Sequence, residues 1–388
     1  MMKRIRTVLI GAGYRGCGLL RILQSIDNFE VVAVFDPSSN KPCDLENIDI
    51  MFYNKDNDDY QRMIIEQKPD LAIIASPWKF HIEQAMFALG NHYHRCHVAI
   101  EIKGGFCIDE YKPLLETAEK YSLNIFPLEN AVFMRENMAM LNIVKKGILG
   151  NIVAVKGGYR HDLRGLLVDD NGKLGNPNKP EGIWRSQFYT TENCDLYPTH
   201  GLAPVCLAIG IGRTDYITEL TSFSSRACGM HEYILQHGGD TSVPIAMGDI
   251  IITQMRSEKN ILITLTHDTT LPRPRSLDFE IQGSKGIWRG EFRKIYIEGL
   301  SPHEEWEDDL KYIEENEHRF WQLWGTEATR IDVHHKGMDY IMLRAVAAHI
   351  QGEDTYPLNG HDLALWTSIT PYSKISISEK RTVEIPRP

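Results

Sequence analysis

The stretch Val8-Leu9-Ile10-Gly11-Ala12-Gly13-Tyr14-Arg15-Gly16 decides the reading of the fold. An apolar strand pattern runs straight into G-x-G-x-x-G, and Cys17 to Ile26 continues with helical spacing. The glycine pattern alone is weak evidence. A strand before it and a helix after it give each glycine a reason. The first permits the tight turn, the second lets backbone approach a pyrophosphate, and the third lets helix and strand pack closely. The helix N-terminus then turns free N–H groups and its positive dipole end toward the phosphates. Asp36 stands 20 residues beyond Gly16. A carboxylate there can accept from both ribose hydroxyls and would repel a 2′-phosphate. Gly11, Gly13, Gly16 and Asp36 therefore predict a dinucleotide site that prefers NAD to NADP.

Around this motif, short apolar runs at 8–10, 31–35, 71–75, 98–100 and 124–126 alternate with helix-period segments. That is how buried parallel strands with crossover helices read. We expect an α/β Rossmann domain, a doubly wound parallel sheet, over residues 1–127. The interval 37–59 is polar and rich in Asn and Asp, and reads as a surface excursion. After Pro127 the pattern changes. A helix is predicted over 135–146 and a strand over 152–159. A loop rich in Gly, Pro, Asn and Asp follows over 162–181, and then a helix after Pro204. Candidate strands follow at 216–223, 249–255, 261–266, 276–281 and 294–297, then helices at 338–350 and 361–368. Strands in succession without helices between them predict an α+β second domain, 128–388, with an open, mainly antiparallel sheet.

A chain of 388 residues exceeds what one core usually organises, which agrees with two domains. Its formal net charge of -10 comes without a basic stripe, so nucleic acid is not an expected partner. No run approaches the ~18 apolar residues of a membrane span. Val8-Leu9-Ile10 is too short for a signal-peptide core. A soluble, cytoplasmic protein acting on small molecules is expected, and open sheets of this kind suggest a homo-oligomer. Seven cysteines at irregular spacings without C-x-x-C argue against a disulfide framework or zinc knuckle. The segment 91–97, Asn-His-Tyr-His-Arg-Cys-His, has metal-ligand residue types. It precedes the fourth strand, on the side opposite the dinucleotide turn, and reads as a surface loop. No metal site is predicted.

Further motifs carry a resemblance. They are Ser76-Pro77-Trp78-Lys79-Phe80-His81, Glu101-Ile102, Glu129-Asn130 and Gly158-Tyr159-Arg160-His161-Asp162-Leu163-Arg164. Trp184-Arg185, Leu196-Tyr197-Pro198-Thr199-His200-Gly201, Pro272-Arg273-Pro274 and Gly337-Met338-Asp339-Tyr340 complete the set. With the glycine turn, they make the sequence resemble the Gfo/Idh/MocA oxidoreductases, and within them glycoside hydrolase family 109, the NAD-dependent α-N-acetylgalactosaminidase type. The resemblance implies that Tyr14, Arg15, Asp36, Trp78, His81, Glu101, Ile102, Asn130, Tyr197 and His200 line the cofactor. It implies that Tyr159, Arg185 and Tyr197 face the sugar, with Glu129 at the domain junction also on the substrate side. Two departures stand out. The dehydrogenase branch carries Glu-Lys-Pro after the fourth strand, whereas this chain has Glu101-Ile102-Lys103. If the strand continues that far, the one-residue shift turns Lys103 to the opposite face. Arg275 stands where the family pattern has a substrate-binding tyrosine.

The resemblance implies a glycosidase working by transient oxidation at sugar carbon 3. The aglycone is eliminated, water adds, and re-reduction restores the sugar and NAD. A sugar dehydrogenase with net hydride transfer is the alternative, and an NAD-binding protein without catalysis is a third reading. His200 is the first choice for proton transfer, because imidazoles titrate near working pH. Tyr159 is the second, as a phenol beside positive charge. Arg185 and Arg275 would hold hydroxyls or an anionic group. Trp184, Trp288, Trp321 and Trp324 are candidates to stack on a sugar, with core packing as the default.

Overall fold

The computed structural model describes residues 3–38, 50–55, 59–106 and 108–387. The chain divides into two compact units: residues 1–134 with 319–364, and residues 135–318 with 365–388. The sequence reading places a single boundary at 127/128.

The first unit begins with β1 (Ile5–Ile10), α1 (Tyr14–Gln24), β2 (Phe29–Phe35), β3 (Met51–Tyr53), α2 (Tyr60–Gln67) and β4 (Leu71–Ile74). It continues with α3 (His81–Gly90), β5 (His97–Ile100), α4 (Ile108–Lys120) and β6 (Ile125–Pro127). The six strands are parallel, in the order β3-β2-β1-β4-β5-β6. Helices cover parallel sheets on both faces, so central strands read as unbroken apolar runs. Leu71, Ala72, Ile73 and Ile74 of β4 have no solvent exposure at all. Burial of each large aliphatic side chain there contributes roughly 1.5–3 kcal/mol, and a charge at Ile73 would break the sheet. The strand order reverses between β1 and β4, and the crevice beyond the strands' carboxyl ends at such a point is where ligands bind.

β3 was hidden in the polar interval 37–59. It pairs with β2 through Ala33–Met51 and Phe35–Tyr53. The rest of that predicted excursion, 39–49 with Cys43 and 56–58, lies outside the described residues, as does Cys107. None of the described cysteines is in a disulfide.

The second unit contains α5 (Arg135–Lys145), β7 (Ile152–Arg160), α6 (Arg164–Leu167), α7 (Pro180–Thr191), α8 (Thr199–Ile209), β8 (Ile217–Ser224), α9 (Gly229–Gln236), β9 (Ile250–Ser257) and β10 (Leu262–Asp268). Then come β11 (Glu280–Gly283), β12 (Gly286–Arg289), β13 (Lys294–Ile297), β14 (Glu307–Asp308) and α10 (Leu310–Glu315). The chain next forms α11 (Arg319–Ile331) and α12 (Met338–Ile350), which belong to the first unit. It ends with α13 (Gly360–Glu379) and β15 (Val383–Glu384). The return to the first unit follows from α12, which is apolar on nearly every side and packs on α11, α1 and the 3-10 helix Asn130–Phe133.

Nine strands make the second sheet, ordered β14-β13-β12-β11-β7-β10-β9-β8-β15. Every pair is antiparallel except β7 with β10. Along β9, buried and exposed residues alternate, as they must when one face meets the core and the other water. The predicted loop 162–181 is shorter than expected, because α6 and the start of α7 fall within it. Among the described residues, no helix is long and apolar enough to cross a membrane.

Candidate active site

The glycine turn joins β1 to α1 as expected. Gly11 has φ +94°, and a Cβ there would lie 2.7 Å from the Ser76 nitrogen. At Gly16 a Cβ would lie 2.0 Å from the Gly11 carbonyl oxygen. These two glycines serve the fold. Gly13 differs, since a Cβ there would meet nothing within 4 Å. Its lack of a side chain leaves open space in front of α1, whose N-cap has no side-chain partner and whose first turn holds no acidic residue. Free N–H groups facing open space suit a pyrophosphate. Asp36, beyond the end of β2, accepts from Ala12 N at 2.8 Å through Oδ2 and from Ser38 N at 3.0 Å through Oδ1. A carboxylate has about four acceptor positions, so each oxygen keeps capacity for a ribose hydroxyl. The residues fit a dinucleotide.

Beside the turn, Arg15 donates from Nε to Glu101 Oε1 at 2.7 Å and from Nη2 to Asp339 Oδ1 at 2.9 Å. Asn130 Nδ2 reaches the same Asp339 oxygen at 2.8 Å, and His335 Nδ1 lies 2.7 Å from Oδ2. Burial opposes charge on Asp339, but Arg15 and His335 hold its carboxyl well below the usual range. Burial raises Glu101, and Arg15 only partly offsets this. The ligand atoms of Asp332, His335 and Asp339 lie within 4.8 Å of one another, a spacing that suits a metal. Of these three, Asp339 is paired with the Arg15 guanidinium.

Trp78 is buried and donates from Nε1 to Ile102 O at 3.2 Å. His81 is buried with Nε2 2.6 Å from Ser76 O, and burial lowers its pKa to about 4. Tyr14 is 87 % exposed beside the turn. Glu129 is fully buried, and its Oε1 accepts from Ala131 N at 3.1 Å. Because β5 ends at Ile100, strand alternation does not reach Lys103. Lys103 is instead wholly buried, its ammonium 4.5 Å from the Phe106 ring centre and 5.8 Å from that of Trp78.

The second unit gathers the predicted sugar-side residues where α8 crosses β7. A Cβ on Gly157 would lie 1.8 Å from Gly201 O, and one on Gly201 would lie 2.3 Å from Gly158 N. Helix and strand thus meet backbone to backbone, which only glycine permits. The approach brings Tyr159 of β7 to Tyr197 and His200 at the start of α8. The ring centres are 4.5 Å apart for Tyr159–Tyr197, 5.6 Å for Tyr159–His200 and 4.9 Å for Tyr197–His200. Arg185, on α7, is 3 % exposed, with its guanidinium carbon 5.1 Å from the Tyr197 ring centre and 5.6 Å from that of Tyr159. Burial works against this cation, but the Tyr159 oxygen, then Glu181, Tyr189 and Tyr197, more than offset it and raise its pKa.

Two further histidines join the cluster. His267 on β10 is in register with Tyr159 on β7, with ring centres 6.3 Å apart. His161, 6.0 Å from Tyr159, has its pKa lowered to about 4 by burial and then by the Arg275 and Arg185 charges. The sequence reading assigns neither to the site. His161 stood inside a quoted motif, two residues from Tyr159. His267 directly follows a predicted strand, the one signal that it carried. Asp339 likewise stood in a quoted motif, at the start of a predicted helix. Trp288 and Trp321 are core residues that donate to Asp309 Oδ2 and Phe133 O. His94 and His97 serve local structure, with His94 Nε2 2.6 Å from Pro69 O and His97 Nδ1 accepting from Asn124 N at 2.9 Å.

Residues 133–387 match the family model for "Glycosyl hydrolase 109, C-terminal domain", and residues 5–126 match "Oxidoreductase family, NAD-binding Rossmann fold". The chain belongs to glycosyl hydrolase family 109. A family 109 protein of Stenotrophomonas maltophilia is 32% identical over 99% of this chain and 89% of its own length. An alpha-N-acetylgalactosaminidase of Tannerella forsythia is 31% identical over 82% of this chain and 70% of its own. Among solved structures, scyllo-inositol dehydrogenase from Lactobacillus casei with bound NAD(H) and scyllo-inositol aligns with TM-score 0.67 at 13% identity, covering 98% of both chains. At that identity the likeness is one of fold. The family 109 chain therefore has an NAD-binding Rossmann domain and, in its second unit, a mainly antiparallel sheet on which Tyr159, Arg185, Tyr197 and His200 converge.

Proposed function

We propose that this chain is an NAD-dependent glycoside hydrolase working through transient oxidation of its sugar. The Tyr159–Tyr197–His200 cluster beside the buried Arg185 guanidinium carries the proposal. Ordinary glycosidases set two carboxylates across the scissile bond. Here the neighbouring carboxylates are engaged by arginines, Glu181 by Arg185 at 2.7 Å and Asp268 by Arg273 at 2.7 Å. When bound at the glycine turn and Asp36, NAD supplies reversible oxidation at a sugar carbon, which acidifies the adjacent C–H and lets an aglycone leave by elimination.

The chain's own part is proton traffic and grip. His200 and Tyr159 take and return protons at the sugar's hydroxyl and C–H positions. Arg185 sets a buried positive charge against both phenol rings, 5.6 Å from the Tyr159 ring centre and 5.1 Å from that of Tyr197. Tyr197, with Arg275, orients the sugar, whereas Glu129 is fully buried in the first unit. Arg15, Glu101, Trp78, His81, Ile102 and Asn130 shape the cofactor side, Arg15 through its bonds to Glu101 and Asp339. A net sugar dehydrogenase is the alternative. It needs a base like the lysine of that branch, and Lys103 instead lies against two aromatic rings.

The test incubates the protein with aryl α- and β-glycosides in deuterated water and follows phenol release and NADH absorbance together. Phenol release with deuterium at carbon 2 and no accumulating NADH is expected. Stoichiometric NADH without phenol would establish the dehydrogenase. For assembly we propose a homo-oligomer through the open sheet face, which exposes Phe223, Ile252 and Leu262. Light scattering should then show F223E/I252E as a smaller species than the parent.

A further inference from the structure

Where β7 ends, Arg160 bridges Ser276 in antiparallel sense, Arg160 N to Ser276 O at 3.1 Å and Ser276 N to Arg160 O at 2.8 Å. One residue beyond this bridge on each side, antiparallel register sets His161 opposite Arg275, whose charge acts on that imidazole. Directly opposed residues project to the same side, with Cβ atoms roughly 5 Å apart. The two-residue period puts Tyr159 on that side as well, as the Tyr159–His161 ring contact requires. The exposed guanidinium of Arg275 is thus carried on the same face as the phenol and imidazole assigned to the sugar.

The neighbouring arginines have counter-ions. Arg160 pairs with Asp268 and Asp278, Arg273 with Asp268, Arg164 with Asp162, and Arg185 with Glu181. Arg275 makes no hydrogen bond or ion pair among the described residues. An unpaired surface arginine is ordinary. This one, however, stands beside a neutral imidazole whose Nδ1 is buried without a hydrogen-bond partner. A cation beside a neutral ring nitrogen, with the nearby Asp162 carboxylate already held by Arg164 at 2.8 Å, forms a receptor for negative charge. We propose that the substrate is an anionic glycoside, bearing a carboxylate or a sulfate or phosphate ester that binds Arg275 next to His161. This rests on the second unit's cluster being the sugar site.

The test compares the parent with R275A and R275K, each loaded with NAD, on matched nitrophenyl pairs: glucuronide with glucoside, galacturonide with galactoside, and galactoside 6-sulfate with galactoside. The parent should favour a charged member by at least about tenfold in kcat/KM. R275A should cut that ratio roughly tenfold, and R275K should restore part of it. Preference for the uronide identifies a carboxylate and preference for the sulfate an ester; either upholds the proposal. Preference for the neutral members, or an equal fall on both members in R275A, overturns it. If no glycoside is cleaved, the hydrolase reading fails and binding decides the inference alone, by saturation-transfer NMR with free hexuronates and hexose 6-sulfate against their parent hexoses. A charged sugar bound by the parent and lost in R275A upholds it. Charged sugars that fail to bind, or that bind R275A equally, overturn it.

Discussion

Gly13 of the first unit and the Gly157–Gly201 pair of the second do opposite work. At Gly13 the missing side chain clears space that the protein leaves open, whereas at Gly157 and Gly201 it clears space that the protein itself fills. Charge divides the same way. In the first unit, carboxylates gather around one arginine, Glu101 and Asp339 on Arg15. In the second, the Arg185 and Arg275 cations bear on imidazoles and phenols. The first arrangement offers backbone to a phosphate, and the second offers side chains that exchange protons. If that difference is functional, changes in one unit should affect cofactor affinity and changes in the other should affect turnover.

The largest expected effect is on chemistry. H200Q and Y159F should each lower kcat on a cleaved glycoside by about 10²–10⁴-fold, while NAD affinity, read by fluorescence titration, changes little for Y159F. A parallel loss of NAD affinity in H200Q would place that imidazole on the cofactor side and blur the contrast. Next comes stability. A Cβ on Gly157 would meet backbone that no rotamer change can move, so G157A should destabilise the second unit by about 3 kcal/mol, seen in urea unfolding. G13V should do the reverse, weakening NAD by about 30-fold, near 2 kcal/mol, while the melting temperature without NAD barely moves. If G13V unfolds the protein instead, Gly13 serves the fold as Gly11 and Gly16 do.

The glycine turn was legible because its logic is local: strand, turn and helix lie within one stretch, and Asp36 follows at a fixed distance. The second unit's residues were reachable only through motifs, since β7, α7 and α8 meet by tertiary packing that no periodicity encodes. The same reason hid the return of 319–364 to the first unit. Met338–Ile350 is apolar enough to be recognised as a helix, but nothing in its sequence names its neighbours. β3 escaped because three residues in a polar stretch carry too little pattern. Arg15 was expected on the cofactor, yet its partner Asp339 lies 324 positions away, beyond any local signal.

The smallest effect tests the charge contrast directly. His335 beside Asp339 has its pKa raised above the ordinary 6.5, first by that hydrogen bond and against burial. His161 has its pKa lowered to about 4 by burial and then by Arg275 and Arg185. A raised imidazole binds more protons folded than unfolded. Its stabilisation is therefore full below pH 6.5 and lost as pH rises through the folded value. A lowered imidazole costs nothing above pH 6.5, and stability falls as pH drops from there toward 4. The His335 contribution, part-exposed and screened, should be under ~1 kcal/mol, so NMR titration of the ring protons is the sharper measurement. His335 should titrate above 6.5 and His161 below it, and R275A should raise His161 while leaving His335 unmoved. If R275A leaves both midpoints unchanged, the Arg275 guanidinium does not bear on His161. The second unit's charge would then rest on Arg185 alone.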